Sequence, residues 1–548
     1  MAAHQQETIT IDGNSLTLIT AMKLCNAGDA GDAGAIHPVI SISAEAMDRV
    51  AECRRLVDSL RGTGKVVYGV NTGFGSLATV VIPDDKLKQL QVNLIRSHSA
   101  GIGAPIAPEI ARLMMALRVN SLARGHSGVR PELLQAIVAA YNAGCVPRVP
   151  CQGTVGASGD LAPLSHMVLA LMGEGEMWMD GGWVTSSTVL AMKGLAPITL
   201  ESKEGLALNN GTPFMLAHLC VATSRAMRLA EAAVTTSALS FEALGATYRC
   251  LDPRISAVRQ HYGQTAVAAA LGAILLRNGG SEINEMYAGN KVQDGYTLRC
   301  TPQILGPAIE EILNVRDVVE IEMNSVTDNP LVFAGDAVAF VSGGNFHGMY
   351  MSNAADRLAI AVQLIATLSE RRCDRLVDGH RSGMPSMLVE GSGLNNGFMI
   401  PQYAAAAITS ENKVLCHPAS VDTIPTCEGT EDHVSMGGFA VRKALLIVEN
   451  TEKVVAIELM MACQGIGLKH IGIVKKKKKE AQKPACVSNT VVEHIYARLR
   501  EITGVKMLTD DRPLGRDEEA FVRALAAPEM HDRVHAALFD SHCYRVHH

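Results

Sequence analysis

Apolar side chains along this chain recur mostly at intervals of three and four residues, and that spacing predicts helices over most of its length. From Ser43 onward, Met47, Val50, Leu56, Val57 and Leu60 fall on one face of a helix that ends near Leu60, with Ser43 as its cap. Comparable patterns predict helices over 84–99, 108–124, 131–143 and 161–171, then over 213–245, 265–276, 303–323, 350–372, 401–412 and 436–463. Several are apolar around much of their circumference and must be buried against other helices. Alternation with a period of two is confined to short stretches. These are a strand pair within 8–20 turning at Asp12-Gly13-Asn14, a surface hairpin over Glu176–Val184, and Leu331–Phe333 with Ala337–Val341 around Gly335-Asp336. The expected fold is mainly α: a large bundle of long helices with small β elements in the N-terminal half, where the candidate site falls.

Composition sharpens this picture. Hydrophobic residues make up 48% of the 548 residues and aromatics only 4%, so the core is built from Ala, Leu, Val, Ile and Met, which favours helices over a β-sandwich. A net charge of −6 argues against nucleic acid or an anionic membrane as the main partner. Thirteen cysteines, an odd number without a CxxC pair, indicate neither a disulfide framework nor a zinc site and suit a reducing cytosol. Met1–Glu7 lacks the basic and apolar regions of a secretory leader, and no uncharged apolar run reaches about 18 residues, so no membrane span is expected. Residues 26–36 are low in complexity and read as an exposed loop. The run Lys475 to Lys479 reads as a solvated loop held extended by self-repulsion, because no aromatics or wider basic field surround it. Trp178 and Trp183, the only tryptophans, read as local packing of the hairpin rather than a ligand cage.

The richest chemistry lies in Gly153-Thr154-Val155-Gly156-Ala157-Ser158-Gly159-Asp160-Leu161, where three glycines precede an apolar helix. No Gly-Lys-Ser/Thr follows, which excludes a phosphate loop, and Asp160 stands where an acid caps or favours the start of the helix. Two readings of Ala157-Ser158-Gly159 stand side by side. One is a plain glycine turn. The other is chemical: the Gly159 amide nitrogen, unshielded by a Cβ, can approach the Ala157 carbonyl carbon, and the Ser158 hydroxyl can leave as water. Ring closure with two dehydrations makes an electrophile from ordinary backbone.

Further strings carry similar pairs of readings. Tyr68 in Val67-Tyr68-Gly69-Val70-Asn71-Thr72-Gly73-Phe74-Gly75 is either a packing residue or part of a mobile lid. Gln293, Tyr296 and Arg299 are spaced to share one face of a helical turn, as a structural network or as a site. Asn324 and Asn345 stabilise loops or bind at a site. His98 closes a helix, where a histidine pairs with the dipole or serves a function.

Together these strings resemble the aromatic amino-acid ammonia-lyase and aminomutase family, colinearly over about residues 40–470. The resemblance implies that Ala157-Ser158-Gly159 cyclises on its own to methylidene-imidazolone (MIO), with no external cofactor and no metal. It implies that Tyr68 is the base that removes the substrate β-proton, and that Arg299 holds the substrate carboxylate, a role suited to its bidentate fork. Tyr296 and Gln293 support the site, Asn210 lies beside the prosthetic group, Asn324 and Asn345 hydrogen-bond there, and Phe346 packs near the ring. His98 occupies the family's selectivity position, where histidine- and tyrosine-acting members carry His. Glu431, in Thr430-Glu431-Asp432-His433-Val434-Ser435, matches the Glu with which histidine-acting members bind imidazole. A carboxylate suits an N–H donor and would be left unpaired against a phenyl ring.

The resemblance therefore implies elimination of ammonia from L-histidine to trans-urocanate, the first step of histidine breakdown, in a cytoplasmic homotetramer. The alternatives are a tyrosine or phenylalanine ammonia-lyase or a 2,3-aminomutase on the same scaffold, and then an inactive structural relative. Three departures from the pattern are Asn209 for Leu or Ile, Gly295 for Pro, and Gly429-Thr430 for Asn-Gln. One continuous catalytic unit is expected, divided into an N-terminal region 1–210 with the tripeptide and lid, a long-helix bundle 211–470, and a helical tail 471–548.

Overall fold

The computed structural model describes residues 7–25, 38–60, 63–277, 281–288, 292–335, 339–473 and 485–540. The low-complexity stretch 26–36 and the Lys475–Lys479 run lie outside the described residues. The fold is mainly helical, with the longest helices at Pro213–Leu244, Thr301–Met323, Met349–Val377 and Gly437–His470. These fall on the segments predicted at 213–245, 303–323, 350–372 and 436–463. Two compact units emerge, each drawn from three separate segments of the chain: Met1–Ser224, Val315–Asp356 and Pro418–Arg442 in the first, and Arg225–Asn314, Arg357–His417 and Lys443–His548 in the second.

In the first unit Ser43 caps the helix Ala44–Ser59, accepting from the Ala46 amide at 3.2 Å. Helix Pro108–Ala123 is buried around its whole circumference from Ile110 onward, and the other helices of the unit gather around such apolar faces. The hairpin Glu176–Met179 with Gly182–Thr185 forms as expected and adds Val146–Pro147 as a third antiparallel strand. Asp180 and Gly181 both take positive φ at its two-residue turn, and Trp178 meets Trp183 edge-on with centroids 5.1 Å apart.

The strand pair expected within 8–20 is not a hairpin. Thr8–Ile11 instead pairs in parallel with Val39–Ile42, and Leu18–Cys25 is a helix. The Asp12 carboxylate accepts from the amides of Asn14 and Ser15, at 2.7 and 2.9 Å, and turns the chain before a second strand can start. Leu18, Ala21, Met22 and Cys25 are then buried at helical spacing. The later pair survives in shorter form, Leu331–Val332 against Phe340–Val341, with 336–338 outside the described residues.

The second unit is a helical assembly around a buried ion pair. Arg372 meets Glu458 through two bonds of 2.5 and 2.9 Å, and Ser240 donates to the same carboxylate at 2.5 Å. Here, among the described residues of its string, only Tyr296–Arg299 is helical. Gln293 lies in the irregular lead-in, so the three spaced residues do not share a helical face.

Candidate active site

The glycine-rich loop of the first unit is held from four directions. Thr154 closes it from within, its hydroxyl donating to the Gly159 carbonyl at 3.1 Å while accepting from the Gly156 amide at 3.0 Å. The turn Asn210-Gly211 lies against the tripeptide: the Asp160 amide donates to the Gly211 carbonyl at 2.6 Å, and Asn210 Nδ2 donates to the Ser158 carbonyl at 3.2 Å. Gly159 has φ +79°, and a Cβ there would run into the Gly211 carbonyl, so only glycine permits this approach. From a third side the Met436 amide reaches the Val155 carbonyl at 2.9 Å, and the Ser435 hydroxyl reaches that of Gly156 at 3.3 Å.

The fourth hold is Asp160, and it corrects an expectation. Its side chain makes no capping bond to its own helix, Leu161–Leu171. Instead Oδ2 accepts from the Phe214 and Met215 amides, at 2.9 and 3.0 Å, and so caps the long helix that starts at Pro213. Asp160 is fully buried, and this burial pushes its carboxyl up to about 8; the two amides pull it down and nearby Glu322 pushes it further up. The unusual Asn209 also finds a partner, its Nδ2 donating to Ser165 Oγ at 3.2 Å in the core.

Glu431 arrives at this loop from 273 positions away. Ser158 Oγ donates to its Oε1 at 3.1 Å, and Thr426 Oγ1 donates to its Oε2 at 2.6 Å. A carboxylate has about four lone-pair sites, so two hydroxyls leave it able to accept from a ligand N–H. Tyr68 and His98 feel the same carboxylate. Burial raises the Tyr68 phenol above its usual range; the Gly75 amide, donating to its oxygen at 3.3 Å, opposes this, and Cys427 and Glu431 add to it. Burial lowers the His98 imidazole, against a backbone bond at Leu94 and the charge of Glu431, so the ring is neutral at pH 7. The Ser97 hydroxyl lies 3.0 Å from His98 Nδ1.

The structure thus brings Tyr68, His98, Ala157, Ser158, Gly159, Asn210 and Glu431 into one neighbourhood of the first unit. Asn345 is in the same unit, exposed, donating to the Val326 carbonyl at 3.2 Å; Phe346 is half-buried. Next to it, His347 Nε2 lies 3.2 Å from the His433 carbonyl, which joins their two strings. Asn324 does something other than expected. Its amide accepts from the Leu16 N–H at 3.0 Å and donates to the Leu16 and Glu320 carbonyls at 2.8 and 2.9 Å, so its bonds are spent on tethering the N-terminal segment. Gln293, Tyr296 and Arg299 belong to the second unit. There Gln293 and Tyr296 are exposed, the Arg299 guanidinium stacks 4.5 Å from the Tyr296 ring, and Arg299 Nε donates to the Asp294 carbonyl at 2.9 Å.

Sequence reasoning passed over Thr154, Thr426 and Ser435. Thr154 lies inside the glycine loop, where a hydroxyl commonly closes a turn. Thr426 and Ser435 gave no local signal, because their partners are distant in sequence or across a turn.

The family model for aromatic amino acid lyases matches residues 31–501. A histidine ammonia-lyase of Caenorhabditis elegans is 49% identical over 461 residues, covering 84% of this chain and 67% of that one. The crystal structure of histidine ammonia-lyase from Trypanosoma cruzi superposes with a TM-score of 0.85 at 41% identity, covering 97% of each chain. A tyrosine aminomutase from Streptomyces globisporus superposes with a TM-score of 0.84 at 32% identity, covering 96% of this chain and 98% of its own.

Proposed function

The chain belongs to the aromatic amino acid lyase family, and from that premise we propose that it is a carbon–nitrogen lyase that eliminates ammonia from L-histidine to give trans-urocanate, the first step of histidine breakdown. The observation that carries the choice of substrate is the Glu431 carboxylate, 3.1 Å from the Ser158 hydroxyl with acceptor capacity to spare. An imidazole offers it an N–H; a phenyl ring would leave it desolvated and unpaired.

The β-proton of histidine is weakly acidic, so elimination needs both a base and an electron sink. The tripeptide fits an internal prosthetic group. Position 159 tolerates only glycine, Ala157 is small and buried, and Asn210 and Gly211 hold the backbone at the Ser158 carbonyl and the Asp160 amide. The methylidene-imidazolone we assign to Ala157-Ser158-Gly159 supplies an electrophile that withdraws electrons from the substrate. Tyr68, as phenolate, takes the β-proton. Because its phenol is raised in the resting site, ionisation depends on alkaline pH or on the positive charge a substrate ammonium brings. His98, neutral, and Glu431 orient the imidazole. Arg299 binds the substrate carboxylate, with Tyr296 and Gln293 supporting it. Arg299 lies in the second unit, and we assign the complete site to a homotetramer in which copies share residues. Asn345 and Phe346 remain assigned to the surroundings of the prosthetic group, while Asn324 is a tether. No helix of the described residues is long and apolar enough to cross a membrane. We assign the enzyme to the cytoplasm on its cysteine usage, which suits a reducing compartment.

Histidine, tyrosine and phenylalanine offered separately, with urocanate or cinnamate-type absorbance followed, test this reading. Turnover of histidine is expected. Turnover of tyrosine without histidine would instead assign the tyrosine-acting branch, ammonia-lyase or 2,3-aminomutase. Intact mass should fall short of the sequence by roughly two waters, and Ser158→Ala should restore it and abolish activity.

A further inference from the structure

Residues 426–431 form a tight turn beside the tripeptide, and of these the activity described so far uses only Glu431. Thr426 and Glu431 exchange two backbone bonds, Thr426 N–H to the Glu431 carbonyl at 3.0 Å and Glu431 N–H to the Thr426 carbonyl at 3.3 Å. The Thr426 hydroxyl closes the same loop on the carboxylate at 2.6 Å. Between them Cys427 and Glu428 hold φ of 50° and 54°, a left-handed conformation unfavourable for a residue with a Cβ. Such strain persists only where neighbouring contacts hold it.

The neighbour is the Tyr68 loop. Cys427 Sγ accepts from the Ser76 amide at 3.3 Å. A Cβ on Gly75, itself at φ +55°, would run into that sulfur, so glycine is what lets the two segments touch. The amide of Gly75 is the one that donates to the Tyr68 hydroxyl at 3.3 Å. A continuous path of contacts therefore runs from the phenol through Gly75 and Ser76 to Cys427, then to Thr426 and the Glu431 carboxylate. Both ends of the path are residues proposed above to meet the substrate.

We infer that Thr426 and Cys427 are positioning residues that couple the seating of the Tyr68 loop to the orientation of Glu431, so that the base and the imidazole acceptor are aligned together. Thr426 sets the carboxylate by holding its outer oxygen; Cys427 docks the loop by filling the space that Gly75 leaves open. The inference rests on the roles proposed above for Tyr68 and Glu431. It requires each residue to affect the partner at the far end of the path.

The test uses Thr426→Val, Thr426→Ser, Cys427→Ala and the Thr426→Val/Cys427→Ala pair in the full-length protein. Steady-state kinetics with histidine are measured across pH, alongside melting temperature and intact mass. Thr426→Val, nearly isosteric, removes one charge-assisted hydrogen bond and should raise KM about tenfold with kcat changed less, while Thr426→Ser should recover most of the loss. Cys427→Ala should lower kcat and also raise KM, and the double variant should lose less than the product of the two single losses, as linked residues do. Strictly multiplicative effects, or a Thr426→Val enzyme with unchanged KM, would overturn the coupling. A fall in melting temperature that tracks the kinetic loss, without rescue by Ser, would return the turn to a purely structural role. If the unaltered protein itself does not turn over histidine, the assignment of substrate fails instead, and that result is read before any variant is made.

Discussion

Replacing Glu431 with Gln separates recognition of the imidazole from support of the fold. In the structure the carboxylate receives the Thr426 hydroxyl at 2.6 Å and the Ser158 hydroxyl at 3.1 Å, one on each oxygen. In the prosthetic group we propose, the Ser158 hydroxyl has left as water, so Thr426 remains the hydroxyl on the carboxylate; glutamine keeps one oxygen and presents an amide NH2 in place of the other, and Thr426 must turn from donor to acceptor where it meets that NH2. The residue is half-buried, and the structural loss is one hydrogen bond, about 0.5–1.5 kcal/mol against a total of about 5–15 kcal/mol. The catalytic loss is larger. An imidazole N–H to a carboxylate is charge-assisted, and weakening it by about 1.5–3 kcal/mol lowers kcat/KM for histidine by about ten- to a hundredfold, at 1.36 kcal/mol per decade. Phenylalanine, whose ring carries no donor, gains nothing from the charge, so the preference for histidine over phenylalanine should fall by a similar factor. The assay is kcat/KM for both substrates on Glu431→Gln and the unaltered enzyme, with melting temperature and intact mass to confirm folding and the loss of water at the tripeptide. Unchanged kcat/KM for histidine, or a loss of stability large enough to account for the whole loss of activity, would refute the role given to Glu431.

Other predictions follow from single features. The raised Tyr68 phenol places the active phenolate on the alkaline side, so kcat/KM for histidine should climb as pH rises above neutrality, and Tyr68→Phe should abolish turnover while leaving the loss of water measured by mass spectrometry intact. Asp160 is protonated more readily folded, at about 8, than unfolded, at 3.8, so between those values the native state holds the extra proton and stability falls as pH rises; Asp160→Asn should flatten denaturation midpoints measured from pH 5 to 8. Gly159→Ala should clash with the Gly211 carbonyl, and mass spectrometry should find the full, unshortened mass. In the second unit Glu458→Gln strands the fully buried Arg372 charge, and chemical denaturation should register a loss of about 3–5 kcal/mol.

What depends on near neighbours can be read from the chain alone. Helix spacing and the Ser43 cap are encoded within a few residues, so the long helices and their starts were legible. So was the hairpin at Asp180-Gly181, whose turn needs only two adjacent residues of positive φ. The cyclisation proposed for Ala157-Ser158-Gly159 is equally local, since a tripeptide carries all its own atoms, and resemblance along the chain named the residues to look for around it. Tertiary structure decided which groups spend their bonds where. The partner of Thr8–Ile11 proved to be Val39–Ile42, because the Asp12 turn diverts the intervening chain into a helix. Asp160, adjacent in sequence to one helix, caps another, because the orphan amides of Phe214 and Met215 are the donors that packing delivers to it. Asn324, matched by its string to the site, holds Leu16 instead. Thr426 and Cys427 carried no periodic or compositional mark; their meaning lies in the groups that folding sets against them, the Glu431 carboxylate across a strained turn and the Ser76 amide of the Tyr68 loop. Periodicity records which face of an element is buried, whereas a hydrogen-bond partner is chosen by the packing of elements far apart in the chain.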